Sequence, residues 1–166
     1  LIEEYLGKDG IFAKELSGYE YRPEQIKMAE AVLARLQEGG FLVVEAGTGT
    51  GKTLAYLLPG ILSNQRIIIS TGTKNLQEQI FYKDLPLLKK HFDFRAILMK
   101  GRRNYLCWRR FYKMLRQPKM EFVSEAEILN MIQSWAQETQ TGDKEELKEL
   151  SENHPIWEKI CSEAEL

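Results

Sequence analysis

The amino-acid sequence is most chemically loaded at Ala46-Gly47-Thr48-Gly49-Thr50-Gly51-Lys52-Thr53, where glycine alternates with threonine and the run closes on a lysine and a hydroxyl. Glycine, without a Cβ, lets the main chain curl tightly enough for successive N–H groups to converge on an anion. A lysine directly after such a loop can neutralise the outer charge of a polyphosphate, and an adjacent threonine can offer its hydroxyl to Mg²⁺. In this reading residues 46–53 hold the tail of a nucleoside triphosphate. Lys52 reaches the β- and γ-phosphates, and Thr53 places the metal.

Such a loop works only if a strand delivers it and a helix leaves it. Phe41-Leu42-Val43-Val44 has the short apolar composition of a buried parallel strand, and Leu54-Ala55-Tyr56-Leu57-Leu58 that of a helix start. The helix N-terminus then adds its positive dipole end beneath the phosphates. This setting argues against an incidental Gly/Thr-rich surface turn. The first position is Ala46, where nucleoside kinases and Ras-like switches usually carry Gly.

The surrounding pattern repeats. Pro23 suits a first helical turn, and Ile26, Ala29, Leu33 and Leu36 recur at helical spacing until Gly39-Gly40. Arg66 to Thr71 is short and β-branched, a second strand; Phe94 to Met99 is a third. Between them a helix is expected from about Asn75 to Lys90, kinked or divided at Pro86. Strand–helix–strand–helix–strand predicts an α/β fold built on a parallel sheet with right-handed crossovers. Residues 1–20 read as an irregular lead-in. Beyond residue 103 the pattern turns helical, with helices expected at Cys107–Leu115, Ser124–Glu138 and Lys144–Leu150 and breaks near Gln117-Pro118 and Thr141-Gly142-Asp143. Two parts follow, 1–103 and 104–166.

Composition sets outer limits. With 43% hydrophobic and 28% charged residues in 166, one ordinary globular domain with a real core is expected rather than a disordered chain. The net charge of −1 hides an uneven distribution. Lys100, Arg102, Arg103, Arg109, Arg110, Lys113, Arg116 and Lys119 occur with no acid among them, whereas the chain after Glu121 is acidic. The two cysteines, Cys107 and Cys161, lie far apart and form no CxxC pair, which argues against a disulfide framework. With no signal peptide and no apolar run near the roughly 20 residues of a membrane span, a cytoplasmic location and no membrane partner are expected. The opening at Leu1 without Met suggests a piece of a longer protein.

Other segments can do chemistry, each with an ordinary alternative. Arg22 and Gln25 lie about twenty residues before the loop; a glutamine amide matches the donor and acceptor of adenine's Hoogsteen edge, or is simply one more helix residue. Thr71, Thr73 and Lys74 follow the second strand, where hydroxyls and amides can hold nucleic-acid phosphates, or merely cap a helix. Arg102 and Arg103 enter a basic stretch containing Tyr105, Trp108, Phe111 and Tyr112. Positive charge tracks phosphates and aromatic faces stack unpaired bases, yet helix aromatics are more often core and charge runs more often solvated.

Taken in order, YEYRPEQ, AGTGTGKT, STGTKNLQEQ and KGRRNYLC resemble the N-terminal part of DinG/XPD-type DNA helicases, the iron–sulfur branch of superfamily 2, over roughly residues 10–110. That resemblance implies a RecA-like P-loop NTPase sheet flanked by helices, with the start of a helical iron–sulfur-type insertion after residue 103. It implies ATP and Mg²⁺ as cofactors, adenine held by Arg22 and Gln25, and the triphosphate held by Ala46, Gly47, Thr48, Gly49, Thr50, Gly51, Lys52 and Thr53. Single-stranded or forked DNA would lie on Thr71, Thr73, Lys74, Arg102 and Arg103. It further implies 5′-to-3′ translocation by a monomer, with Cys107 as first ligand of a [4Fe–4S] cluster.

Cluster iron takes four thiolates, and the sequence offers two cysteines, so the cluster is not completed here. Cys161 is either the second ligand or a bystander just ahead of it, with Ser162-Glu163-Ala164-Glu165-Leu166 as the lead-in to a later cysteine. No Asp-Glu-x-His box follows, so these residues are expected at most to bind nucleotide. The competing readings are a nucleotide-binding module that holds single-stranded nucleic acid without unwinding it, and a nucleoside or shikimate-type kinase.

Overall fold

The computed structural model describes residues 1–116 and 123–163. The break expected at Gln117-Pro118 and the last residues of the expected lead-in, 164–166, lie outside them. The chain forms two compact units, Leu1–Leu98 and Met99–Leu166.

In the first unit, α1 (Ile2–Leu6) and α2 (Ile11–Glu15) replace the irregular lead-in expected from the sequence. The reason is burial: Ile2, Leu6 and Phe12 are sealed in the core, where each contributes on the order of 1.5–3 kcal/mol. Helix α3 (Pro23–Glu38) begins on Pro23, whose missing N–H costs nothing there, and ends at Gly39, whose φ of 80° only glycine takes readily. Its Ile26 and Ala29 meet Ala55, Leu57 and Leu58 of α4 (Lys52–Leu62) in one core.

The helix expected over 75–90 is divided. Helix α5 (Lys74–Gln79) runs into a π-helical turn, Ile80–Asp84, and continues as α6 (Leu85–Lys89). Pro86 sits in the first turn of α6. A proline ring clashes with the carbonyl four residues before it, and a wider turn relieves that conflict.

The expected parallel sheet is not formed: no strand occurs among the described residues. The segments over 41–44, 66–70 and 94–98 nonetheless carry the side-chain period of extended chain. Phe41 and Val43 are 99% and 95% exposed, while Leu42 and Val44 are 41% and 40%. Leu42 and Val44 share a shallow cleft with Met28, Val32 and Leu36 of α3. Ile68 is likewise far more exposed than Ile67 and Ile69. A strand is held by hydrogen bonds to neighbouring strands, and these segments make no ladder with one another. The buried strands expected here are therefore not formed, and Phe41, Val43 and Ile68 face solvent instead.

The second unit is built from α7 (Trp108–Arg116), α8 (Val123–Glu138) and α9 (Ile156–Ile160). Phe111, Leu129, Ile132, Ala136, Leu147, Leu150, Trp157 and Ile160 form its core. The helix expected over Lys144–Leu150 shrinks to a single 3₁₀ turn, Lys144–Glu146. Asp143 accepts from the Glu145 N–H, the Thr139 and Thr141 hydroxyls donate to Glu146, and Lys144 donates to the Glu152 carbonyl. The main-chain bonds of Asp143 and Lys144 compete with helix, while Leu147 and Leu150 anchor the segment into the core.

Candidate nucleotide site

The glycine loop bends where its sequence permits. Gly49 and Gly51 take φ of 76° and 79°, left-handed values costly for any side chain, and Gly51 caps α4 so that Lys52 opens the helix. The Thr50 hydroxyl donates to the Gly47 carbonyl at 3.0 Å, pinning the loop to itself. Lys52 Nζ donates to the carbonyls of Ala46, at 2.7 Å, and Gly47. The ammonium therefore folds back over the loop.

Gln25 lies against this loop. It is 4% exposed, and its Nε2 donates to the Gly51 carbonyl at 2.9 Å. A Cβ on Gly51 would stand 2.2 Å from that Nε2, so the two residues pack only because one is glycine. Arg22, one turn earlier, pairs with Glu20 at 2.6 Å on the surface. The upstream segment and the glycine loop, 26 residues apart in sequence, thus meet.

Behind the loop lies a polar group the sequence reading missed. The Tyr56 phenol of α4 is pushed up by burial, opposed by a hydrogen bond with Thr53 and raised further by Asp84. The Asp84 carboxyl is itself pushed up by burial, with a hydrogen bond from Gln79 and the charge of Lys83 pulling the other way. Asp84 Oδ2 is buried without a hydrogen-bond partner. The π-helical turn, which no sequence signal except Pro86 announces, turns Asp84 inward.

Of the downstream residues, Thr73 caps α5, accepting from the Leu76 N–H at 3.3 Å, and the Thr71 hydroxyl donates to the Thr73 carbonyl at 3.0 Å. Lys74 starts α5.

In the second unit, Arg102 and Arg103 sit on a 3₁₀ turn closed by the Asn104 side chain, which donates to the Gly101 carbonyl at 2.9 Å. Arg103 pairs with Glu163 at 2.6 Å while its side chain remains 81% exposed. Lys100, grouped in sequence with the basic run, is not a surface charge. Its side chain is 3% exposed and pairs with Asp143, at 2.9 Å, and with Glu145. The Lys100 N–H donates to the Tyr105 hydroxyl at 2.8 Å. Asp143 and Glu145 gave no signal in the sequence as partners for Lys100.

Leu106 and Cys161 face one another across an antiparallel bridge, flanked by Cys107 N–H donating to the Ile160 carbonyl and Ser162 N–H to the Tyr105 carbonyl. Directly opposed residues share a face and neighbours alternate. Cys161 therefore goes into the core with Leu106, and Cys107 emerges on the other side, half-buried. No cluster of three or more metal-binding side chains occurs among the described residues.

Two positive-φ glycines, Gly49 and Gly51, thus lead into a helix that opens on Lys52, the local geometry of the P-loop class. The chain belongs to the DEAD/DEAH box helicase family, whose profile matches residues 22–151. It is 43% identical over 166 residues to the "ATP-dependent DNA helicase YoaA" of Haemophilus influenzae, covering 99% of this chain and 26% of that protein. The Escherichia coli protein of the same name is 38% identical over 156 residues, 93% of this chain and 24% of its own length. The "3'-5' exonuclease DinG" of Bacillus subtilis is 32% identical over 164 residues, 93% of this chain and 17% of its own length. The chain thus spans about a quarter or less of these relatives. No solved structure matches it.

Proposed function

We propose that these residues are the nucleotide-binding part of an ATP-dependent DNA helicase, a DinG/XPD-type motor that translocates on single-stranded DNA. The contact between Gln25 and Gly51 carries the reading. A phosphate loop alone serves many NTPases; one touched by the glutamine of an upstream YRPEQ segment matches the helicase pattern. Residues 1–103 form the first part of a RecA-like motor domain, whose parallel sheet is completed by further strands, and residues 104–166 begin a helical insertion of the iron–sulfur type.

Within that motor the loop amides over residues 46–53 take the triphosphate. Lys52 leaves the Ala46 and Gly47 carbonyls for the β- and γ-phosphates. The Thr53 hydroxyl fits one position on Mg²⁺, which supplies charge neutralisation to the transferring phosphoryl group when bound. Arg22 and Gln25 recognise adenine, for which the Gln25 amide exchanges its bond to Gly51. Thr71, Thr73, Lys74, Arg102 and Arg103 hold DNA phosphates. Cys107 is the one thiol placed outside the core and so fits a first cluster ligand; with Cys161 inside, these residues do not fit a [4Fe–4S] cluster by themselves. A monomer in the cytoplasm completes the reading.

The test is ATP turnover by the full-length protein with and without single-stranded DNA. Lys52→Ala is expected to reduce turnover to background, and Gln25→Ala to raise KM for ATP more than for GTP. A Lys52→Ala protein that hydrolyses ATP at the parent rate overturns the assignment.

A further inference from the structure

We infer that the outer face of α7 is a stacking platform for unpaired nucleobases, a site that neither the family motifs nor the names of the relatives assign. It deepens the DNA-motor reading above and rests on it.

Sequence alone left the aromatics of this stretch divided between core and surface. The structure separates them. Phe111 is fully buried in the core of the second unit, and the Tyr105 hydroxyl is tied to the Lys100 N–H. Trp108 and Tyr112 are neither: they are 46% and 52% exposed. Four residues apart on one helix, their rings stack on each other, with centroids 5.5 Å apart and planes 25° from parallel. Two large rings stacked on each other and half in water present a flat face that a further ring can extend.

Charge says what. Tyr112 lines an open groove with Arg109, Lys113 and Arg116, cations at successive turns of α7. No acidic residue lies between Lys100 and Met120. A row of positive charge beside a stacked aromatic pair matches a polyanion that carries flat bases at intervals. Single-stranded nucleic acid has both features, and each base offers a π-face whatever its sequence. A duplex offers phosphates but keeps its bases inside the stack. An acidic peptide offers charge without rings.

The experiment is equilibrium binding of the full chain to a labelled oligothymidylate and to a mixed-sequence duplex of equal length, without nucleotide, across a salt series. Trp108→Ala and Tyr112→Ala are each expected to weaken single-strand binding roughly five- to a hundredfold, the range for losing one base–aromatic stack, with little effect on the duplex. Trp108→Phe and Tyr112→Phe are expected to bind within about twofold of the parent. They keep a ring where the alanine variants lose helix packing, and emission from buried Trp157 reports that the unit remains folded. Lys113→Gln and Arg116→Gln are expected to lower the salt slope by about one phosphate each.

Alanine variants that bind oligothymidylate like the parent overturn the platform. So does a loss that is equal for duplex and single strand, or complete displacement of the strand by polyglutamate at matched charge. The two readings fail separately. Absent ATP turnover with this pattern of binding removes the motor and leaves the platform; normal turnover with ring-insensitive binding does the reverse.

Discussion

Gln25 and Gly51 form a pair in which each residue explains the other: the glutamine amide donates to the glycine carbonyl at 2.9 Å, and only the missing Cβ makes room for it. Gly51 is therefore required twice, once for its φ of 79° and once for this contact.

Gly49 isolates the first requirement, since its φ is 76° and a Cβ there would meet nothing within 4 Å. Gly49→Ala is expected to cost about 1–2 kcal/mol, the penalty for a side chain in left-handed backbone. Gly51→Ala should cost more, and the excess should disappear in the Gln25→Ala background. Urea denaturation of the four proteins in a double-mutant cycle measures it.

Lys100 is the cation between two carboxylates, Asp143 and Glu145, whose side chains are 14% and 11% exposed. Removing it leaves two buried like charges together. Lys100→Met is expected to destabilise the second unit by about 3–5 kcal/mol, followed through Trp157 fluorescence. Adding Asp143→Asn and Glu145→Gln should recover part of the loss, because no uncompensated charge remains.

Asp84 sets a pH dependence. Burial raises its carboxyl pKa in the folded chain, so its favourable contribution is fully present below the unfolded value, near pH 4, and is lost as pH rises through the folded one. Above the folded pKa the ionised group weakens the fold. Asp84→Asn is expected to match the parent in acid and to gain on it in thermal midpoint as pH rises. A variant whose advantage over the parent does not grow with pH contradicts this.

The cysteines should differ in reactivity. Burial pushes the Cys161 thiol up, against the nearby charges of Lys144 and Arg110, and its side chain is enclosed. Iodoacetamide is expected to modify Cys107 in the native chain, and Cys161 only at the rate of opening of the second unit. Mass spectrometry of tryptic peptides resolves the two. Equal native labelling would place Cys161 outside the core.

Local features follow from residue type alone. The tight turn before α4 follows from Gly49 and Gly51, because positive φ demands glycine. Pro23 and Gly39 bracket α3 because one lacks an N–H and the other a Cβ. Tertiary structure decided whatever depends on distant neighbours. It put Ile2, Leu6 and Phe12 in the core instead of a loose lead-in, and left the extended segments without a ladder, since strands need partners that a local pattern cannot supply. It moved Lys100 from the basic surface into an ion triad, and split four aromatics of one stretch between core, hydrogen bond and open groove. Side-chain type is written in the chain; its partner is fixed only when segments far apart in sequence compete for the same buried space.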